Sequence, residues 1–351
     1  MRSILIVRAG AVGDAVLTLP LLEALAEAGV ERIGVLGTPG SWAFLAPGGV
    51  ELFDFDGREW LGLFTGETSL GPRAERLARE FDAAIVLLGP QRERVETALR
   101  ALGVAAIVGA TPAAKDERAS EAAVEAAFAE PHWPPGPAHA ASRLLQSLGP
   151  LGATASRPAW PAAPKVLQES PFLRVEPHEV EGIVRTLAIA PFAPQGILAI
   201  HPGSGGAAKR WPAVRFASLA IAAEDRWGLT PIFVAGPADA EVWRQVQEAL
   251  PQSFRPRALR ERPLREVLAL LSVARAYIGN DAGVGHLAAR ACPTLTLFGP
   301  TDPAIWHPVG RHVATLEGPR GRLKDLSLES VLEALALVWR IRNSPHLGAG
   351  P

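Results

Sequence analysis

Three segments of the sequence join an apolar run to glycines and at least one charged side chain. They are residues 4–14, 201–212 and 278–289, with Asp14, Lys209 and Asp281 as the charged residues that could do chemistry. A carboxylate at such a place can accept a proton from a hydroxyl, and glycine amides beside a lysine can hold a phosphate. The segments therefore predict one acid–base group and two anion-binding turns.

The first segment leads from the apolar run at 4–7 into a glycine turn. In an open parallel sheet such a turn lies at the carboxyl edge, where ligands bind. We expect Asp14 to act as a general base there, with Gly10 and Gly13 lining the ligand site. The alternative, an acidic cap on the following helix, is equally compatible with this segment. Arg8 stands where a dinucleotide fingerprint needs glycine, which argues against a dehydrogenase.

The second segment, 201–212, follows the first apolar run of the second half of the chain. Ser204, Gly205 and Lys209 are expected to cradle a phosphate through backbone amides and one ammonium. The segment lacks the Gly-Lys-Ser/Thr ending of a P-loop, which argues against ATP hydrolysis of that kind. The alternative is a glycine-rich connection with a solvated lysine.

The third segment, 278–289, is a predicted strand that ends in Asp281, followed by a glycine turn that opens a helix. The amides of Gly283 to Gly285 would face a diphosphate at the positive end of that helix, with Ala282 in the same site. His286 is either a phosphate or sugar contact or simply a packed histidine. The Gly-Pro turn at 299–303 is expected to complete the rim of this site.

Two further pairs of acids have plainer alternatives. Glu241, with Asp239 near it, could hold ribose hydroxyls, although both could equally be acids at a helix start. Asp54 and Asp56 form an Asp-x-Asp pair. We expect this pair to lie on a solvated strand edge, and we expect no metal requirement.

The elements that must position these residues alternate between short apolar runs and segments of helical period, which predicts βαβ units. The pattern predicts an α/β fold of two doubly wound halves, with Gly149–Pro164 as the linker. The predicted domains are an N-terminal domain at 1–165, a C-terminal domain at 166–325 and a final helix at 326–342.

Composition narrows the function further. Lys and Arg total 35 against 36 Asp and Glu, for a net charge of -1, which argues against a nucleic-acid-binding protein. One cysteine leaves no intrachain disulfide. No secretory leader and no long apolar stretch is evident, so a cytoplasmic location is expected. Peripheral contact with the inner membrane and the oligomeric state stay open.

Together the motifs resemble glycosyltransferase family 9, the ADP-heptose transferases of lipopolysaccharide core synthesis. The resemblance lies in Arg8–Asp14 followed by Leu17–Pro20, in His201–Pro212, and in Gly279–Leu287 followed by Leu297–Pro303. These segments look like the family's motifs in order and spacing, and the resemblance spans nearly the whole chain.

The resemblance implies a GT-B fold, with two Rossmann-like domains facing a central cleft. It also implies that the C-terminal helix at 326–342 packs back toward the N-terminal domain. It implies a nucleotide-sugar donor, suspected to be ADP-heptose, a glycan or glycolipid acceptor, and inversion without a metal or other cofactor. The residue roles it implies are Asp14 as base, Ser204 and Lys209 on the donor phosphates, Glu241 on the ribose, and Asp281, Gly283 and His286 in the donor loop.

Ala282 and Gly285 depart from the family, which usually has Ser or Thr directly after the donor-loop aspartate. A hydroxyl to the diphosphate is therefore missing. This departure keeps open a catalytically silent nucleotide-sugar-binding protein. A UDP-sugar epimerase of the same fold is the other alternative.

Overall fold

The computed structural model describes residues 2–65, 72–110, 112–113, 139–146, 148, 167, 169–188 and 196–340. These residues form two compact units. The first contains residues 2–65, 72–110, 112–113, 139–146, 148 and 170–174, and the second contains 167, 169, 175–188 and 196–340. The predicted linker and the predicted boundary after residue 165 lie outside the described residues.

The first unit is built on a parallel sheet with the strand order β3-β2-β1-β4-β5. The strands are β1 (Ser3–Val7), β2 (Arg32–Gly37), β3 (Glu51–Asp54), β4 (Ala83–Val86) and β5 (Ala106–Gly109). The described helices are α1 (Val12–Glu27), α2 (Pro39–Trp42), α3 (Leu61–Thr65), α4 (Pro72–Arg79), α5 (Arg92–Ala101) and α6 (Ala140–Gln146).

The central strand β1 is apolar on both faces because both faces are covered. Its residues Ile4–Val7 are completely buried. Leu5 and Val7 belong to a core cluster that also contains residues of β2, β4, α3 and α5. Helix α1 is buried almost throughout from Ala15 to Leu25, so its first turn is held firmly at the carboxyl end of β1.

The second unit has a parallel sheet with the order β11-β10-β9-β6-β7-β8. Its strands are β6 (Ile197–His201), β7 (Thr230–Ala235), β8 (Arg257–Arg260), β9 (Ala274–Asn280), β10 (Thr294–Phe298) and β11 (Val313–Glu317). Its helices are α7 (Pro177–Thr186), α8 (Ala213–Trp227), α9 (Ala240–Ala249), α10 (Leu264–Val273), α11 (Gly283–Ala289), α12 (Pro303–Trp306) and α13 (Leu328–Arg340).

The chain winds from β6 out to β8 and then returns to the other side of β6 with β9. The carboxyl ends of β6 and β9 therefore form the switch point where open α/β sheets bind ligands. His201 pairs with Gly279 across these two strands, so the loops after β6 and after β9 start side by side.

Helix α13 covers one face of the second sheet. Four of its apolar side chains lie in the core cluster that contains residues of β9 and β10, namely Val331, Leu332, Leu335 and Val338. The predicted packing of this helix toward the N-terminal domain stays a prediction. In the described part of the chain, no helix combines the length and apolarity needed to cross a membrane.

Candidate functional site

Asp14 lies in the first turn of α1, at the carboxyl edge of the first sheet. Its Oδ2 accepts a hydrogen bond from the amide of Ala11 at 3.0 Å, which caps the helix. Its Oδ1 accepts a hydrogen bond from the guanidinium of Arg8 at 2.8 Å. The side chain is nevertheless 23% exposed. Asp14 therefore caps α1, which was the alternative to the general-base role. Its carboxylate still reaches solvent.

The turn before Asp14 requires glycine at position 10. Gly10 has φ +139, and a Cβ there would lie 2.6 Å from Oδ2 of Asp14. The carbonyl of Gly10 accepts a hydrogen bond from the hydroxyl of Ser41 at 2.8 Å. Gly13 lies within the first turn of α1 and is partly exposed. Backbone and carboxylate therefore approach closely at this edge.

Arg8 contacts Asp14 and was not predicted as a site residue. Its side chain is 5% exposed, and its Nη1 donates to the carbonyl of Leu87 at 3.4 Å. Burial lowers the pKa of the Arg8 guanidinium, against the opposing effect of the Asp14 carboxylate. Arg8 joins the ends of β1 and β4 and orients Asp14. A charged residue directly after a buried strand was the signal for this role.

Asp281 is the centre of a second cluster, at the carboxyl edge of the second sheet. Its Oδ2 accepts hydrogen bonds from Nζ of Lys209 at 2.8 Å and from the hydroxyl of Thr301 at 2.7 Å. Its backbone carbonyl accepts a hydrogen bond from the hydroxyl of Ser204 at 3.0 Å. The Asp281 side chain is 9% exposed, whereas that of Lys209 is 28% exposed. An ammonium therefore lies at the surface above a buried carboxylate.

Asn280, the last residue of β9, holds the glycine loop that follows β6. Its Nδ2 donates to the carbonyls of Pro202 at 2.8 Å and Gly203 at 3.3 Å. Its Oδ1 accepts the amide of Trp211 at 2.9 Å. Asn280 is fully buried, so one side-chain amide fixes both ends of the loop that carries Ser204 and Lys209.

His201 and Asp239 lie beneath the same loop. Nδ1 of His201 contacts the carbonyl of Val234 at 2.9 Å, and its Nε2 lies 4.0 Å from Oδ2 of Asp239. Asp239 also accepts the amide of Gly236 at 2.8 Å. Burial lowers the pKa of His201, with Asp239 acting in the opposite direction. Both side chains are buried and support the loop from below.

Gly203→Ala is expected to lower the free energy of unfolding by about 1–3 kcal/mol, since overpacking displaces buried groups. A Cβ at this position would lie 1.9 Å from Oδ1 of Asp239 and 2.8 Å from Cε1 of His201. Urea unfolding measures the change. Gly206→Ala is the matched control, because nothing lies within 4 Å of a Cβ there. Equal stability of the two variants would contradict this packing.

Stability should fall as the pH drops below about 6.5, the ordinary pKa of histidine. The folded chain holds His201 neutral because burial lowers its pKa, so the unfolded chain binds more protons in this range. His201→Gln is expected to flatten this decline in urea unfolding between about pH 7.5 and 5.5. His178→Gln, at an exposed position, is the control and should leave the slope unchanged. An unchanged slope in His201→Gln would contradict a buried, neutral His201.

The structure brings three of the predicted donor residues together, namely Ser204, Lys209 and Asp281. Ala282 is the N-cap of α11 and Gly283 its first residue, and both are partly exposed. Gly205 is exposed, with open space around it. His286 is 4% exposed within α11, which agrees with the alternative that it is a packed histidine. Their ligand contacts stay predictions.

Glu241 lies in the first turn of α9, the helix that follows β7. Its oxygens accept hydrogen bonds from Arg244 at 2.7 and 3.0 Å and from Gln245 at 2.8 Å. The side chain is 59% exposed. These local contacts fit an acid at a helix start, and the ribose contact stays a prediction.

The Asp-x-Asp pair lies partly outside a strand, so the expectation of a strand through both acids is wrong. Strand β3 ends at Asp54, whose Oδ1 accepts the amide of Asp56 at 3.0 Å. Gly57 closes the turn by donating its amide to the carbonyl of Asp54. Both acids are exposed. Within the described residues, no three His, Cys, Asp or Glu side chains are grouped as metal ligands.

Comparison with known proteins identifies the family. Residues 166–336 match the sequence model of Glycosyltransferase family 9 (heptosyltransferase). This part of the chain is a glycosyltransferase family 9 domain. The matched stretch contains the whole Ser204, Lys209 and Asp281 cluster, and the family resemblance expected from the motifs is confirmed.

The chain is also similar to a curated relative, lipooligosaccharide heptosyltransferase 2 of Haemophilus influenzae. The two are 27% identical over 170 residues, which cover 46% of this chain and 49% of that protein. The chain thus matches about half the length of this relative, and less of the other curated relatives.

Two solved structures share the fold over nearly the full length. The family 9 glycosyl transferase of Veillonella parvula superimposes with a TM-score of 0.72 at 20% identity, covering 96% of this chain and 97% of that one. The ADP-heptose lps heptosyltransferase II of E. coli gives a TM-score of 0.69 at 19% identity, covering 98% and 100%. The predicted fold class, two Rossmann-like domains of the GT-B type, is confirmed.

Proposed function

We propose that this chain is an inverting, metal-independent glycosyltransferase. It moves a heptose from ADP-heptose to a hydroxyl of an acceptor resembling the lipopolysaccharide core. The first unit takes the acceptor and the second takes the donor. The names of the relatives, which specify heptose transfer and an ADP-heptose donor, support the choice of sugar and nucleotide.

The observation that carries the proposal is the Lys209–Asp281 cluster at the β6–β9 switch point. Lys209 lies 2.8 Å from Asp281 with its ammonium partly exposed. The loop amides around Ser204 and the first amides of α11 are at the same edge, where dipoles favour an anion. Fixed hydrogen-bond donors would stabilise the negative charge that develops on a diphosphate leaving group bound here.

In the proposed reaction, Asp14 removes the proton of the acceptor hydroxyl. The hydroxyl oxygen forms a bond to the anomeric carbon as the bond from that carbon to the phosphate oxygen breaks. The electron pair of the broken bond leaves with ADP, whose charge Lys209 and the loop amides stabilise. One displacement inverts the anomeric configuration, and Arg8 keeps the carboxylate of Asp14 oriented throughout.

The proposal places the protein in the cytoplasm, where a nucleotide-sugar donor would be met. A glycolipid acceptor would bring it to the cytoplasmic face of the inner membrane as a peripheral protein. We therefore expect the protein to bind vesicles that contain lipooligosaccharide and not vesicles of phospholipid alone.

A thermal-shift screen tests the donor. A ligand that binds the folded chain raises its melting temperature according to its concentration relative to Kd. We expect ADP and ADP-heptose to raise it, and UDP, GDP and UDP-sugars to have little effect. A shift with UDP-sugars alone would favour the epimerase alternative. Binding of ADP-heptose without release of ADP in the presence of acceptor would indicate a silent binding protein.

A further inference from the structure

The charge balance of the Asp281 cluster leaves a diphosphate short of positive partners. Lys209 lies 2.8 Å from Asp281 and so offsets its charge. Arg210 donates to the neutral carbonyl of Ser204 at 2.9 and 3.2 Å, so its guanidinium keeps its charge. Lys209, Arg210 and Asp281 together contribute one positive charge. A bound diphosphate carries at least two negative charges. A further cation at this edge would balance the remaining negative charge.

Arg320 is an arginine with an unusual backbone in the turn after β11. It has φ 55 and ψ 33, in the left-handed region, and the next residue, Gly321, has φ 69. This conformation costs free energy for any residue with a Cβ, and such residues concentrate at ligand-binding sites. The turn is held by the amide of Gly318, which donates to the carbonyl of Phe298 at 2.9 Å.

This turn packs against the loops of the Asp281 cluster. A Cβ at Gly321 would lie 3.3 Å from the carbonyl oxygen of Gly299, and one at Gly299 would lie 3.1 Å from that of Ala208. Ala208 directly precedes Lys209. The middle loop also carries Thr301, whose hydroxyl bonds Asp281. Three loops therefore adjoin in series, with Arg320 at one end and Lys209 at the other.

Arg320 is exposed and available for a ligand. Among the residues that the structure describes, none accepts a hydrogen bond or forms an ion pair with its guanidinium. Its neighbour Arg322 differs, because its Nε donates to Asp325 at 2.7 Å. The turn thus contains one arginine paired with an acidic side chain and one whose guanidinium has no such partner among the described residues.

We propose that Arg320 is a second cation of the donor site and binds the phosphate attached to the sugar, which is the terminal phosphate of ADP. This inference rests on the proposed function. The strand order places β11 and β7 on opposite sides of the β6–β9 switch point. With the nucleoside on the β7 side, where Glu241 follows, the β11 side faces the sugar end of the diphosphate.

Calorimetric titration of the full chain with ADP and with AMP tests this assignment. Arg320→Ala is expected to raise the Kd for ADP about tenfold, as for one lost charge-assisted hydrogen bond. The Kd for AMP should not change, because AMP lacks the terminal phosphate. Arg320→Lys should keep most of the affinity. Arg322→Ala, the matched control, should bind ADP like the native chain.

Arg320→Gly separates binding from folding. Glycine tolerates φ 55 without strain, so this variant should melt at a higher temperature than the native chain while losing ADP affinity like Arg320→Ala. Native ADP affinity in Arg320→Ala, or equal weakening of ADP and AMP, would overturn the assignment. Failure of the native chain to bind ADP would instead overturn the proposed donor, and the Arg320 assignment with it.

Discussion

Asp14→Asn is expected to transfer sugar about 10²- to 10⁴-fold more slowly than the native chain, the usual contribution of a general base. Asparagine keeps the size of the side chain and an oxygen that can accept the amide of Ala11, but it cannot take a proton from the acceptor. The rate of ADP release in the presence of acceptor measures the effect. ADP affinity should be unchanged, because the donor residues belong to the second unit.

Glu179→Gln is the matched control for Asp14→Asn. Glu179 lies at the equivalent position in α7, accepts the amide of Glu176 at 2.8 Å and pairs with Arg265 at 2.9 Å. Its side chain is 21% exposed, against 23% for Asp14. Both variants should lose similar stability, and only Asp14→Asn should lose transfer. Similar turnover in the two variants would show that Asp14 only caps a helix.

Lys209→Ala is expected to lower kcat about 10²- to 10³-fold, as when a preorganised donor to a developing anion is removed. The change removes the ammonium and leaves the carboxylate of Asp281 without its ion-pair partner, so ADP should also bind more weakly. The unpaired carboxylate would repel ADP, and the double variant Lys209→Ala with Asp281→Asn removes its charge. It should recover part of the ADP affinity without recovering kcat.

Arg226→Ala is the control for Lys209→Ala. It removes one positive charge at the far end of α8, where Arg226 pairs with Glu329 at 3.2 Å on the surface. Exposed pairs of this kind contribute about 0–1 kcal/mol, so its stability and turnover should stay near native. A native kcat in Lys209→Ala would contradict the assigned role of the ammonium.

The sequence predicted the placement of these residues well because glycine turns follow apolar strands. Lys209 and Asp281 each follow a strand of one parallel sheet, and the carboxyl ends of such strands share an edge. Their direct contact was not predicted, since it joins residues 72 positions apart. Asn280 was missed for the same reason. Its contacts with Pro202 and Trp211 exist only once β6 and β9 are neighbours.

Other contacts in the sites have local signals in the sequence. Arg244 stands three residues after Glu241, and such i,i+3 pairs stabilise a helix surface, so their ion pair could have been expected. Asp14 stands three residues after Ala11, the spacing of a helix cap, and it does cap α1. Local spacing predicts local contacts well, but a ligand role depends on which groups the folded sheet brings to one edge.

The most direct test is mass spectrometry of the acceptor after incubation with ADP-heptose and the native chain. The acceptor used is deacylated lipooligosaccharide core that lacks its outer heptose. The account predicts that one heptose is added to the acceptor for each ADP released, without added metal. An acceptor of unchanged mass, with ADP-heptose either intact or merely hydrolysed, would contradict it.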